Sequence, residues 1–373
     1  MSAYNQLIET IEKVAVGKSA SDIHIEPMED GGYKVRLRID GKLRELRQGD
    51  LLNPEHAKHF FSHAKRRYGF DEGKLGAPQG SRFTNYELDH DFRCSLIPCT
   101  SRKPRLEKIC IRLLPRNKSF DLKSIAFPVE TAFKHITEAL NKNNGLIILT
   151  GPTGSGKTTT MVSALISASD STENTQTLED PIEYSLSKHG IVQTEIDEQI
   201  SWAAGLREIL RQDPDTIMVG EIRDSETADL AIYGTQTGHL LISSLHTNSA
   251  EETFDRLGEL GIEKRLIEAN LILATAQRLL PKNCSKCSYQ DEEDSIKIST
   301  ILNKQIKAKK GFGCDLCDQT GYKGRLFLFE YIKRELLEGK FVFKRYGSIE
   351  NQAIEFLEKG ELNVCEATSV FNY

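Results

Sequence analysis

The sequence is short of tryptophan and methionine, with one and four among 373 residues, and it has no excess of positive charge. Its 49 lysines and arginines are outnumbered by 54 aspartates and glutamates, for a net charge of -5. Sequence-independent nucleic-acid binding draws on a strong positive field, so no direct nucleic-acid partner is expected. No run approaches the roughly 18 apolar residues of a membrane-spanning helix. There is no internal repeat and no low-complexity tract. The first 16 residues carry Glu9, Glu12 and Lys13 among their apolar positions and read as an amphipathic helix, not an export signal. The chain is therefore expected to be cytoplasmic, where disulfides between its eight cysteines are not expected. What remains is an ordinary globular composition, 39% hydrophobic and 28% charged, with a length that suggests two or three domains.

Residues 21–114 are rich in strand patterns. Ile23-His24-Ile25 alternates, as does Tyr33-Lys34-Val35-Arg36-Leu37-Arg38-Ile39 before the turn pair Asp40-Gly41. A helical pattern covers 52–68, and strand patterns return at 82–91, 92–97 and 108–114. Residues 1–115 thus read as a small α+β domain, and the polar stretch 116–127 as a linker. In 128–280 a helix over 130–140 ends at Asn143-Asn144-Gly145. Four short apolar strands follow, at 146–149, 175–178, 216–219 and 240–243, with helical stretches between them. That alternation predicts an α/β domain built on a mainly parallel sheet. Residues 281–325 hold two cysteine pairs, and 326–373 read as a helical segment. The basic run Lys65-Arg66-Arg67-Tyr68 reads as a solvated helix face.

Gly151-Pro152-Thr153-Gly154-Ser155-Gly156-Lys157-Thr158 follows an apolar strand and opens a helix. This is the pattern and context of a loop that cradles nucleotide phosphates. Glycines let the backbone wrap close to the phosphates and turn its N–H groups inward. The helix N-terminus that follows favours an anion. Lys157 is expected to reach the β- and γ-phosphates, and the Thr158 hydroxyl to ligate Mg²⁺. Thr159 is counted with the same ATP-binding set.

Hydrolysis of a nucleotide also needs carboxylates, one in the Mg²⁺ shell and one to orient the attacking water. Parallel strands present such groups at their carboxyl ends. Glu179, in Thr177-Leu178-Glu179-Asp180-Pro181, and Glu221, in Gly220-Glu221-Ile222-Arg223-Asp224, fall at strand ends. His246, in Leu245-His246-Thr247-Asn248, follows another. Each carboxylate taken alone also suits a solvated loop, and a lone histidine also suits a structural role. Two Cys-x-x-Cys pairs, Cys284 with Cys287 and Cys314 with Cys317, offer four thiolates for a tetrahedral zinc ion. A redox pair or unliganded thiols are the alternatives.

The runs GPTGSGKTTT, TLEDPIEY, LRQDPDTIMVGEIRD and TGHLLISSLHTNSA, in this order, resemble the Walker A, Asp box, Walker B and His box of the secretion ATPase superfamily. That family powers type II secretion and type IV pili. The resemblance implies a RecA-like P-loop motor domain preceded by a PAS-like domain and followed by a zinc-binding element. It makes Glu179 the water-orienting residue or general base, Glu221 the Mg²⁺-shell carboxylate and His246 the γ-phosphate sensor. The segments Ser21-Asp22-Ile23-His24-Ile25-Glu26-Pro27 and Val35-Arg36-Leu37-Arg38-Ile39-Asp40-Gly41 resemble the domain that closes over nucleotide at subunit interfaces. Arg82, Arg93 and Arg112 stand where the family carries arginines. Arg82 and Arg93 are the favoured pair for offsetting transition-state charge, an effect worth about 10³–10⁵ in rate, with surface ion pairs as the alternative. Where the family usually has Gly-Glu-Arg, this chain has Pro104-Arg105-Leu106-Glu107-Lys108.

The run from Gly313 to Arg325 resembles the family's metal-binding element with a shortened spacer. Its cysteines imply a structural zinc ion and favour an assembly-type motor, since retraction-type members usually lack them. The expected activity is Mg²⁺-dependent ATP hydrolysis by a hexameric ring lacking the family's extra N-terminal domain. Its implied partner is a polytopic inner-membrane platform protein, and through it pilin-like subunits of a pilus, secretion or DNA-uptake filament. Peripheral attachment to the inner membrane follows. The alternatives are a pilus retraction motor, a nucleotide-gated adaptor without productive turnover and a nucleic-acid motor of related core.

Overall fold

The computed structural model describes residues 2–46, 52–74, 76–99, 106–116, 119–170 and 172–371. Pro104 and Arg105 lie outside them, as do residues 117 and 118 of the expected linker. The chain forms two compact units, residues 1–118 with 313–322, and residues 119–312 with 323–373.

The first unit starts with helix α1 (Ala3–Gly17) and strands β1 (Asp22–Pro27), β2 (Tyr33–Ile39) and β3 (Lys42–Leu46). Helix α2 (Pro54–Arg67) and strands β4 (Gln79–Asn85), β5 (His90–Pro98) and β6 (Glu107–Pro115) follow. The strands make one sheet in the order β3-β2-β1-β6-β5-β4. Alternation along each strand decides its faces. Val35, Leu37, Phe92, Leu96, Ile109 and Ile111 bury one face against Ile8, Ile11, Phe60 and Phe61 of the two helices. The other face carries the intervening charged residues.

The basic run at the end of α2 corrects the expectation of a solvated face. Lys65 is buried with Glu107, and Arg67 reaches the fully buried Glu12 of α1 through Nη2 at 2.8 Å and Nε at 3.2 Å. Asn85 Nδ2 completes the Glu12 carboxylate at 3.1 Å. Burying a charge is costly unless it is paired and hydrogen-bonded. Two carboxylates from distant segments meet that need here, and Tyr68 is buried as well, so only Arg66 of the run is exposed.

The second unit opens with α3 (Ala132–Leu140), β7 (Gly145–Thr150), α4 (Lys157–Ala168), β8 (Thr175–Glu179), β9 (Val192–Glu195) and α5 (Trp202–Ile209). It continues with β10 (Thr216–Val219), α6 (Ser225–Gln236), β11 (Leu240–Leu245), α7 (Glu252–Glu259), α8 (Lys264–Asn270) and β12 (Leu271–Asn283). A two-stranded ladder, β13 (Ser288–Gln290) with β14 (Lys309–Gly311), flanks α9 (Glu292–Leu302). The chain then forms β15 (Tyr322–Leu337), β16 (Lys340–Tyr346), α10 (Ile349–Glu358) and α11 (Val364–Thr368). The sheet order is β16-β15-β12-β7-β11-β10-β8-β9, with β12 through β9 parallel.

Helices cover both faces of this sheet. Ile147, Leu149, Met218 and Ile242 pack with Met161 and Leu165 of α4. Their neighbours Leu146, Ile148, Ile217, Val219 and Leu241 pack with Leu206, Ala228, Leu257 and Ile267 from α5 to α8. Both faces being covered explains why these strands read as unbroken apolar runs. The C-terminal stretch opens with a long hairpin, and helices enter only from Ile349. Leu326-Phe327-Leu328-Phe329 carries aromatics that favour a pleated, half-buried surface. No helix among the described residues is long and apolar enough to cross a membrane.

Candidate active site

Strand β7 is buried along its whole length and delivers the chain into the glycine-rich loop. Gly151 sits at φ +142°, and a Cβ there would lie 2.4 Å from the Gln277 carbonyl oxygen and 2.7 Å from Ser155 Oγ. Gly156 caps α4 at φ +91°, and its Cβ would press on Leu279 at 3.1 Å. At Gly151 both the backbone angle and the space exclude a side chain, and at Gly156 the left-handed backbone is what favours glycine. Gly154, also left-handed at φ +80°, and Thr153 are exposed on the rim. Thr158 and Thr159 stand half-buried in the first turn of α4.

The buried hydroxyls of Thr150 and Ser155 have no hydrogen-bond partner among the described residues. Buried polar groups are rarely left so. The unmatched Ser155 hydroxyl, the side-chain-free glycine backbone and the start of α4 together suit a polyphosphate. Lys157 Nζ donates to the carbonyls of Gly151 and, at 3.3 Å, Pro152, keeping the ammonium over the loop.

Burial pulls the Lys157 pKa down to about 8, with Arg278 adding to the shift and Glu221 opposing it. The ammonium therefore loses its proton as pH rises through that value, and phosphate affinity should fall with it. Between pH 7 and 9 a fluorescent ATP analogue should bind about tenfold more weakly. Lys157→Arg, which stays charged, should remove that midpoint, and an affinity flat over the range in the native protein would contradict it.

Adjacent strands present the other groups. In the order β7, β11, β10, β8 their carboxyl ends carry the phosphate loop, His246, Glu221 and Glu179. Glu179 is buried at the end of β8. Thr177 Oγ1 donates to its Oε1 at 2.7 Å and Gln193 Nε2 donates to the same oxygen at 2.8 Å. Glu221 follows Gly220, whose N–H donates to Leu178 O at 2.8 Å and whose carbonyl accepts from Ser244 Oγ at 2.7 Å. The Glu221 carboxylate meets Arg223 and lies 3.2 Å from His246 Nε2. Arg223 also lies 3.6 Å from Asp180, the residue after Glu179. An open cleft of about 470 Å³ borders Arg223, His246 and Thr247. The sheet thus brings Lys157, Glu221 and His246 to one edge, with Glu179 at the end of the next strand.

Arg82 and Arg93 belong to the first unit. Arg82 on β4 stands opposite Arg93 on β5, which stands opposite Arg112 on β6. The row continues through Asp22 on β1 to Arg38 on β2. Residues directly opposite share a face, and this face is the one turned away from α1 and α2. Asp22 lies 3.2 Å from Arg112 and 3.7 Å from Arg38.

The four pair-forming cysteines come together. The β13–β14 ladder brings the end of one Cys-x-x-Cys pair beside the start of the other, and all four Sγ atoms lie within 4.8 Å of one another. A tetrahedral zinc ion with bonds of about 2.3 Å sets its sulfurs about 3.8 Å apart, and Cys314 Sγ lies 3.7 Å from Cys317 Sγ. The N–H groups of Cys314 and Gly321 each donate to Cys317 Sγ at 3.2 Å, a second layer suited to a thiolate. The donor set fits a closed structural zinc site.

Two positions on β12 carry no spacing signal in the sequence. Gln277 Nε2 donates to Ser155 O at 2.9 Å and holds the phosphate loop. Its neighbour Arg278 is buried and donates through Nη2 to Asn248 O and Oδ1, both at 3.0 Å, holding the loop after β11. Their only cue is a polar pair inside an otherwise apolar run.

The sequence pattern of the type II/IV secretion system protein family matches residues 2–371. The chain belongs to that family. It is 38% identical over 341 residues to the type IV pilus assembly ATPase PilB of Thermus thermophilus, covering 89% of this chain and 37% of that protein. With type II secretion system protein E of Pseudomonas aeruginosa the identity is 38% over 337 residues, covering 88% and 64%. The chain thus spans between 37% and 64% of the length of these two family members. Among solved structures, the Legionella pneumophila ATPase DotB superposes with a TM-score of 0.73 at 22% identity, covering 98% of this chain and 95% of that one. The pilus retraction motor PilT with bound ADP superposes at 0.64 and 23% identity, covering 96% and 95%. Both share the family fold.

Proposed function

We propose that this chain hydrolyses ATP with Mg²⁺ and that a ring of its copies, a hexamer, drives filament assembly in a type II secretion or type IV pilus-like system. The observation that carries this reading is the set Lys157, His246, Glu221 and Glu179 at the carboxyl ends of four neighbouring strands. The N–H groups at the start of α4 and the Lys157 ammonium hold the phosphates. Thr158 and Glu221 are the residues that hold Mg²⁺, which when bound neutralises phosphate charge. Glu179 orients a water and accepts its proton as the new oxygen–phosphorus bond forms and the bond to the β-phosphate oxygen breaks. His246, beside Glu221, registers whether the γ-phosphate is present. Arg82 and Arg93 complete the site when a neighbouring domain closes over it. Three arginines in register on a polar sheet face support an anionic partner there.

The cysteine cluster and the names of the relatives support assembly over retraction, whose only support is the fold shared with PilT. The motion between domains is passed to a polytopic platform protein in the inner membrane, with pilin-like subunits as the cargo and peripheral attachment as the location. Deleting the gene should abolish the filament, whereas surplus filaments would mark a retraction motor.

A further inference from the structure

Strand β9 is the outermost strand of the parallel sheet and has four residues, Val192-Gln193-Thr194-Glu195, with no buried apolar side chain. It does not contribute to the core, so its polar side chains ask for another explanation. Gln193 stands directly opposite Thr177 on β8. Glu179, two residues beyond Thr177, faces the same side of the sheet. The three side chains converge on one atom, since Thr177 Oγ1 at 2.7 Å and Gln193 Nε2 at 2.8 Å both donate to Glu179 Oε1. The rest of the Gln193 amide is also engaged. Its Nε2 donates to Tyr184 O at 3.0 Å, and its Oε1 accepts from Leu186 N at 2.6 Å.

From this geometry we infer that Gln193 is the positioning residue of the hydrolytic site. It fixes the orientation of the Glu179 carboxylate by binding Oε1. It also ties that carboxylate to residues 184–186, so movement of this loop reorients the base. The inference rests on the proposed hydrolytic role of Glu179. Two donors on one oxygen restrict rotation of the carboxylate. A misplacement of about 1 Å in a catalytic group can cost a hundredfold in rate.

The test uses the full-length chain with Mg²⁺ and ATP, and compares Gln193→Ala and Gln193→Glu with Glu179→Gln. Gln193→Ala should leave nucleotide affinity within about twofold and lower kcat by tenfold to a hundredfold. Gln193→Glu is nearly isosteric and keeps the acceptor for Leu186 N, while it loses the donor to Glu179 and to Tyr184 O, so the Leu186 half of the loop tie survives. It adds a carboxylate beside Glu179, which already has Glu195 directly opposite it on β9, and this further like charge disfavours the charged form of Glu179. The acid limb of the kcat–pH profile should therefore move to higher pH by about one unit or more. An unmoved acid limb in Gln193→Glu, or an unchanged kcat in Gln193→Ala while Glu179→Gln is inactive, would overturn the assignment and leave the ATPase reading standing. If Glu179→Gln itself turns over at the native rate, the role of Glu179 falls and that of Gln193 with it.

Discussion

Replacing Glu179 by glutamine should leave ATP bound and lower phosphate release by about a hundredfold to ten-thousandfold, the usual worth of a positioned proton acceptor. The change is conservative in space. A glutamine carbonyl in the place of Oε1 can still accept from Thr177 and Gln193, so the end of β8 and the buried pocket around it keep their shape. The phosphate loop, on the other side of β11 and β10 in the sheet, is untouched. What disappears is the negative charge and the basicity that draws a proton from water. Affinity measured with a fluorescent nucleotide should match the native protein, while turnover collapses. Native turnover in the variant would remove Glu179 from the water-orienting role and leave Glu221 as the sole acidic candidate.

Replacing Cys284, Cys287, Cys314 and Cys317 together by serine should abolish bound zinc and unfold the segment they hold. Serine hydroxyls do not ionise near neutral pH and are poor zinc ligands. The segment has little else to hold it. Its ladder is three residues on each side, and Ile298, Ile306 and Ala308 are the apolar side chains it buries apart from the cysteines. Structural zinc sites contribute about 10–16 kcal/mol of apparent binding energy, far more than three small apolar contacts supply. The variant should contain no stoichiometric zinc, melt earlier and become sensitive to protease between residues 284 and 317. A native protein that carries no zinc by metal analysis, or a variant that melts with it, would remove the site.

The parts of this site that were legible in the sequence are those governed by local chemistry. A loop that must pass close to phosphates needs glycine at fixed offsets, so residues 151–158 announce themselves. Short apolar runs ending in Glu179, Glu221 and His246 mark strand ends facing a crevice, and the family match bears out the resemblance those runs carry. Features set by pairing across the chain were not legible. Lys65 and Arg67 read as a solvated basic face because their partners, Glu107 and Glu12, lie on other elements. Gln277 and Arg278 act on Ser155 and Asn248, far away in sequence, and Gln193 acts through the pairing of β9 with β8; each is an ordinary polar residue in its own neighbourhood. The hairpin at 322–346 was hidden for a related reason. A charged stretch such as Lys333-Arg334-Glu335 suits a helix as well as a strand until Lys333 is set opposite Lys344 and Arg334 opposite Phe343. Helix and strand propensities are weak against such tertiary choices.

Steady-state phosphate release from the purified chain, loaded with zinc and given Mg²⁺ and ATP, tests most directly whether the phosphate loop and the carboxylates beside it hydrolyse the nucleotide. The blank is Lys157→Ala, which removes the ammonium held over the Gly151 carbonyl. Release well above that blank, lost again in Glu179→Gln, is the predicted result. Release no greater than the blank would contradict the motor and leave a nucleotide-binding adaptor in its place.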